Sequence, residues 1–356
     1  MEIVNLTSDK YKEWNDFCLA NDDAWFFHTA DWLEYTLNYK PELKTKNLGF
    51  MIYKEKELVA VVPLTMEINE FSFGGGKIPM PVLKDSLSKE NRELVSRFIY
   101  EHIDRLALEN KVLRISLKDD PLCHSSFFKF HSNNFLKYGY IDVSLNTQLI
   151  DLGKTEKELW EDLRRNHHRN IQKARDEKFE INFYTSENIT KDIFGAYKEM
   201  HHRAAGRKTR PDKTFELMFD WIKKDMAFLI FVELGGKKIG SEYYLVYKNN
   251  VYGASAANDP DYDHLPVRHF LEWESILWMK KRGFSFYEIG LQQYGTLPYD
   301  FPDAKQLNIS HFKKGFGGVT VPLFMAEKYY DKEYFLKIYN SRINKFGEIL
   351  NGNHVE

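Results

Sequence analysis

The sequence predicts an α/β (α+β) protein of two domains, each a twisted mixed sheet flanked by helices. Three observations carry this. At 356 residues the chain is long for one core and short for three. Two pairs of strand-sized apolar runs, one in each half, are joined by short polar turns, and between them the spacing of apolar residues alternates between strand and helix periods. The boundary falls near residue 147, giving domains 1–147 and 148–356, the second closing on a C-terminal helix.

In the first half, Ser8 to Trp14 and Ala30 to Leu37 are short amphipathic stretches beside capping residues and read as helices. Leu48 to Tyr53 and Leu58 to Thr65 flank Lys54-Glu55-Lys56-Glu57 and read as an antiparallel hairpin. Gly74-Gly75-Gly76-Lys77 lacks P-loop spacing and a following Ser or Thr, so it reads as a turn at the domain junction, not an ATP cradle. Residues 88–110 have helical spacing, and Val112 to Leu117 reads as a strand.

The second half opens on Thr155-Glu156-Lys157-Glu158, a capping box that starts a helix over 155–177. A strand at Phe179 to Tyr184 and helices over 188–204 and 212–224 follow. Phe228 to Leu234 and Ile239 to Tyr247 form a second hairpin around Gly235-Gly236-Lys237-Lys238. Val251 to Ala257 is then a strand, Leu265 to Arg282 a helix and Phe284 to Ile289 a strand.

Composition narrows the function. With 43% apolar and 15% aromatic residues the chain is not disordered. Its 50 basic and 52 acidic residues leave a net charge of −2, which gives no field for holding DNA, so any phosphate must meet a local cluster. Cys18 and Cys123 have no metal-ligand spacing, and so few cysteines suit a reducing compartment. The N-terminus lacks a signal pattern, and the longest apolar runs are strand-sized, so a cytoplasmic protein with no membrane span is expected.

Four segments of the second half carry a resemblance: Leu159-Trp160 leading into Leu163-Arg164-Arg165-Asn166-His167-His168-Arg169-Asn170-Ile171-Gln172-Lys173-Ala174; Tyr252-Gly253-Ala254-Ser255; Leu265-Pro266 with Leu271-Glu272-Trp273-Glu274; and Phe312-Lys313-Lys314-Gly315-Phe316-Gly317-Gly318. In order and spacing they resemble the FemAB-like branch of the GNAT acyltransferase superfamily; the first half matches only faintly, around His28 to Trp32. The resemblance implies two tandem GNAT-like domains with the active cleft mainly on the second. It also implies transfer of an acyl group, either from acyl-CoA to an amino sugar on a nucleotide carrier or from aminoacyl-tRNA to a peptidoglycan precursor.

Acyl transfer to an amine needs the acyl carbonyl held beside the amine, donors for the developing oxyanion, and a proton acceptor. The nucleophile belongs to the substrate, in keeping with the absence of a Gly-x-Ser-x-Gly elbow. Small residues Gly253, Ala254 and Ser255 let a ligand approach the strand backbone and are expected to hold the acyl donor. Arg268 and His269, at a helix start, are expected to assist a pyrophosphate. The usual GNAT phosphate loop is missing, and Asp259, Asp261 and Asp263 stand in its place, with Asp263 the alternative as a simple helix cap.

Lys313 resembles the lysine that Fem-type transferases set against the reacting carbonyl or a substrate phosphate, with Phe312 beside it as a substrate contact. Glu242 and Glu288, in otherwise apolar strands, are candidate bases; Tyr252 and Tyr262 are candidate proton donors, and Tyr262 also a substrate contact. Arg207 and Arg210 lie in a polar inter-helix loop that in Fem-like proteins holds acceptor phosphates. Arg164, Arg165, Arg169 and Arg175 follow acidic residues along one helix, an order the helix dipole favours without a ligand. His167-His168 and His201-His202 suggest metal, but adjacent histidines on a helix are expected to point apart and no His-Glu-x-x-His occurs, so no metal is expected.

The leading expectation is an acyl-CoA-dependent N-acyltransferase acting on a nucleotide-linked amino sugar in surface polysaccharide synthesis. Near-neutral charge and no coiled-coil arm favour it over a tRNA-dependent Fem-type enzyme. A non-catalytic binding protein on the same fold is the third reading, and the aromatic surplus makes a homodimer worth testing.

Overall fold

Both hairpins turn on two residues of positive φ: Glu55 (52°) and Lys56 (70°) in the first, Gly235 (56°) and Gly236 (79°) in the second. That is the turn whose twist matches paired strands. The computed structural model describes residues 1–74, 76–123 and 132–350. It divides into two units, the first of residues 1–146, 293–308 and 322–356, the second of 147–292 and 309–321.

In the first unit, strands Glu2–Asn5, Phe50–Lys54, Glu57–Val62 and Val82–Leu83 make one sheet. A second runs in the order Ile141–Asp142, Met325–Tyr329, Arg114–Lys118, Glu70–Phe71, Thr65–Glu67 and Lys46–Asn47, with Ile78–Pro79 also paired to Arg114–Lys118. Helices Tyr11–Ala20, Ala30–Tyr39 and Lys89–Glu109 bury Trp14, Leu33 and Ile99 in its core. The expected Gly-rich turn lies between strands of this unit and not at its boundary; its Gly75 lies outside the described residues.

The end of the chain also belongs to this unit, so the expected span of 148–356 for the second domain needs correction. The cause is specific. Met325–Tyr329 pairs antiparallel with Arg114–Lys118. Buried Glu327 accepts from Arg342 at 2.9 Å through both oxygens and from Arg114 at 3.3 Å, while Arg114 also reaches Glu70 at 2.8 Å. This locks the C-terminal helix, Lys332–Leu350, to the first unit.

The second unit is one seven-stranded sheet. Its strands are β1 (Leu145–Asp151), β2 (Glu180–Tyr184), β3 (Ala227–Leu234), β4 (Lys237–Tyr247), β5 (Asn250–Asn258), β6 (Phe286–Gln292) and β7 (Val319–Leu323), in the order β2-β3-β4-β5-β6-β1-β7. Its helices are α1 (Glu156–Glu161), α2 (Arg165–Asp176), α3 (Lys191–Ala205), α4 (Asp212–Lys223), α5 (Val267–Lys281) and α6 (Ala304–Lys314). Thr155 and Glu158 do form the capping box. The helix expected over 155–177 is nevertheless broken: Leu163 is buried, and Arg164, extended at ψ 143°, sends its N–H to Gly315 O at 2.9 Å. The core packs Ile171, Leu271, Ile276 and Trp273 against Ile230, Tyr244 and Tyr287 of the sheet. Among the described residues no helix is long and apolar enough to cross a membrane.

Candidate functional site

The sheet of the second unit opens in its middle. β5 pairs antiparallel with β4 from Asn250 to Asn258, but its parallel pairing with β6 covers only Asn250 to Tyr252 against Phe286 to Glu288. Beyond Tyr252 and Glu288 both strands continue with no ladder between them, leaving a fork edged by backbone N–H and C=O groups. A bulge deepens it: Tyr243 lies opposite Ser255 and Tyr244 opposite Gly253, so Ala254 is the extra residue, and it is exposed.

On the α5 face of the fork lies a buried ionic group. Arg268 reaches Glu242 at 2.9 Å and Glu272 at 2.6 Å. Tyr244 donates to Glu242 and Tyr287 to Glu272, each at 2.8 Å. Burial, then the nearby charge of Glu242, pushes Glu272 up to about 8. Gly253 lies over this group; a Cβ there would stand 3.0 Å from the Tyr287 hydroxyl and 3.2 Å from Glu242 Oε1. Glu288, also buried, accepts from Thr147 at 2.7 Å.

Lys313, in the last turn of α6, ends against the backbone of Gly290 on β6. Among the described residues its ammonium has no hydrogen-bond or ion-pair partner. Burial lowers its pKa, while Glu272, Glu242 and Glu288 act in the opposite direction. The Gly-rich segment after it is held by close packing more than by turn chemistry: at Gly318, φ +75°, a Cβ would fall 2.1 Å from Leu149 O.

Each expected site residue therefore has a place. Lys313, Glu242, Glu288, Tyr252 and Gly253 gather at the fork, with Ala254 at its bulge. Arg268 does not stand ready at a helix end for a pyrophosphate; Glu242 and Glu272 hold it. Asp263 is not the cap of α5, whose N-cap is Pro266 with no side-chain bond. Asp259 caps the short turn Pro260–Tyr262 and is neutralised by Arg203 at 2.8 Å and Lys237 at 3.1 Å. Tyr262 lies beneath Lys237, whose Nζ is 4.6 Å from the centre of its ring.

His269 and Phe312 belong to an aromatic cluster with His167 and Phe316, their ring centres 5.0 Å apart. Asn170 lies 3.2 Å from the His269 ring nitrogen, and burial, then His167, pushes His269 down to about 4. Arg207 is exposed beyond the α3 cap Gly206, whereas Arg210 lies 3.1 Å from His201 and over the Phe215 ring. Ser255 is 2.9 Å from the same His201. The two histidines expected to point apart both reach Thr209 Oγ1, His201 at 3.0 Å and His202 at 3.2 Å. Among the described residues no cluster of three or more His, Cys, Asp or Glu is arranged to hold a metal ion. Glu272, Tyr287 and His201 were not foreseen as site residues; the four-residue step from Arg268 to Glu272 was the available signal for the first.

A protein-family model, the acetyltransferase (GNAT) domain, matches residues 161–300, the stretch that builds the fork. No curated protein matches the chain. Among solved structures, FemX aligns at a TM-score of 0.65 with 12% identity, over 95% of this chain and 100% of that one. L-PGS from Bacillus licheniformis gives 0.59 with 8% identity, over 96% and 97%. A tandem GNAT protein from the clavulanic acid biosynthesis pathway gives 0.51 with 9% identity, over 92% and 98%. At these identities the likeness is one of fold, shared with a tandem GNAT protein.

Proposed function

We propose that this protein is an acyl-CoA-dependent N-acyltransferase whose acceptor is the amine of a nucleotide-linked amino sugar. The observation that carries the acyl-transfer step is the fork with Lys313 set against its β6 edge. An acyl carbonyl lying along β5 meets backbone N–H groups that have no ladder partner, next to the half-buried Lys313 ammonium; both are donors for an oxyanion that forms as the amine attacks. The C–N bond forms, the C–S bond breaks, and the thiol leaves with a proton. The proton of the ammonium formed on attack goes to a carboxylate of the fork, which passes it on to the leaving thiolate. Glu288 is the choice, because Glu242 already accepts from both Arg268 and Tyr244. Arg210, half-buried beside the acceptor face, is the cation assigned to the nucleotide's phosphates, and exposed Arg207 has a secondary role at most.

The small donor is favoured by the chain's near-neutral charge. One observation favours the tRNA-dependent reading: with Arg268 held by two carboxylates, the start of α5 offers a CoA pyrophosphate no cationic side chain from that position. Release of CoA thiol from short acyl-CoAs, with UDP- and dTDP-linked amino sugars as acceptors and product mass read in parallel, decides between them. Amine-dependent release with an acylated sugar supports the proposal. Silence across that panel, with transfer from charged tRNA, would replace it.

A further inference from the structure

The α3 face of the fork carries a hydrogen-bond chain with only one consistent set of proton positions. His201 Nε2 lies 3.1 Å from Arg210 Nη2 and 2.9 Å from Ser255 Oγ. A guanidinium has donors only, so Nε2 must be unprotonated and the ring proton sits on Nδ1. From there it is donated to Thr209 Oγ1 at 3.0 Å, and Thr209 passes its own hydroxyl proton to His202 Nδ1 at 3.2 Å. Towards Nε2, Ser255 can then only donate. Its lone pairs are left facing away from His201.

The Tyr197 hydroxyl is fully buried at the same place, and Ser255 is its hydrogen-bonding neighbour. A serine oxygen has two lone pairs, so with its proton donated to His201 and Tyr197 beside it, Ser255 keeps one lone pair for a further donor. The strand adds a second element, since Ser255 directly follows the bulged Ala254 at the open edge.

We propose that Ser255, oriented by His201, accepts the N–H of the incoming amine and so turns the amine's lone pair towards the carbonyl held along β5. Ser255 is the residue that touches substrate; His201 is a positioning residue acting through it, and Arg210 fixes the tautomer. This rests on the amine-acylating reading above. It removes Ser255 from the donor-binding set in which the sequence placed it.

The test has two arms on the full chain. In ¹⁵N-histidine NMR at neutral pH, the ring assigned to His201 by its loss in His201→Gln is expected to be protonated at Nδ1 and not at Nε2. An Nε2-protonated ring overturns the proposal whatever the protein acylates. In the acyl-CoA and amino-sugar assay, Ser255→Ala is expected to lower kcat about 10- to 100-fold with little change in KM for the acyl-CoA. Ser255→Thr should restore most of the rate, and His201→Gln, which keeps an acceptor, should exceed His201→Ala. A Ser255→Ala enzyme at the wild-type rate overturns the proposal. If the wild type is silent on every acceptor, the nucleotide-sugar reading fails, and the NMR arm still decides the state of Ser255 and His201.

Discussion

A Cβ at Gly290 would lie 2.6 Å from Lys313 Nζ, and Gly290 has φ +116°. The lysine can reach the fork because this one residue of β6 has no side chain. Gly290→Ala should therefore impair activity by displacing Lys313, while the strained φ costs about 1–3 kcal/mol. Lys313→Met should lose comparable activity without that backbone strain. Paired urea melts and turnover assays on the two variants check this; a fully active Gly290→Ala would show that Lys313 is not used where it lies.

Arg268 holds two buried carboxylates, and its removal should be far worse than neutralising one of them. Arg268→Ala leaves the buried Glu242 carboxylate without its cation and is expected to cost about 3–5 kcal/mol. Glu272→Gln should cost much less, since burial keeps Glu272 protonated up to about 8. The sign follows from proton binding: with the folded pKa raised, the folded chain binds the extra proton between about 4.3 and 8, so this contribution is complete below that window and is lost as pH rises through it. Stability of Glu272→Gln should be flatter than wild type across those pH values in urea melts.

The strands were far more legible than the contacts across them. Both hairpins followed from apolar runs around a polar turn, and Thr155 with Glu158 announced a helix start that the structure keeps. The break after α1 left no local trace, because Leu163 preserves the apolar spacing and the pull on Arg164 comes from Gly315, distant in sequence. Lys313 is singled out in the sequence only by resemblance to Fem-type proteins, and nothing in its own neighbourhood fixes where its side chain ends. The partners of Arg268 were not legible for a definite reason: a helix-start arginine suits a phosphate equally well until Glu242, from a strand, is placed beside it. Ser255 and His201 are joined only by the packing of α3 on β5.

Two glycine substitutions should move stability in opposite directions. Gly318→Ala would place a Cβ 2.1 Å from the backbone oxygen of buried Leu149 at a φ of +75°, and neither partner is a flexible side chain. A loss of roughly 3 kcal/mol or more is expected. Gly195, inside α3, has no atom within 4 Å of its would-be Cβ, so Gly195→Ala should stabilise by about 0.5–1 kcal/mol. Urea midpoints of the two variants against wild type make the comparison.

Lys313 should give itself away in the alkaline range. Its folded pKa lies below the ordinary lysine value because of burial, so between that pKa and about 10.4 the unfolded chain binds the extra proton. The cost of the buried charge is complete below the folded pKa and is relieved as pH rises, so this one group makes stability increase with pH there. Activity runs the other way, since the charged ammonium is a much stronger donor to an oxyanion than the neutral amine, and turnover should fall as pH rises through the same folded pKa. Lys313→Met should remove both effects together, leaving a stability difference from wild type that shrinks towards alkaline pH and a low residual rate without that basic limb. Urea melts and rate profiles on both proteins from neutral pH upward measure it; a wild-type rate that holds to the pH of an ordinary lysine would exclude a buried Lys313 as the donor.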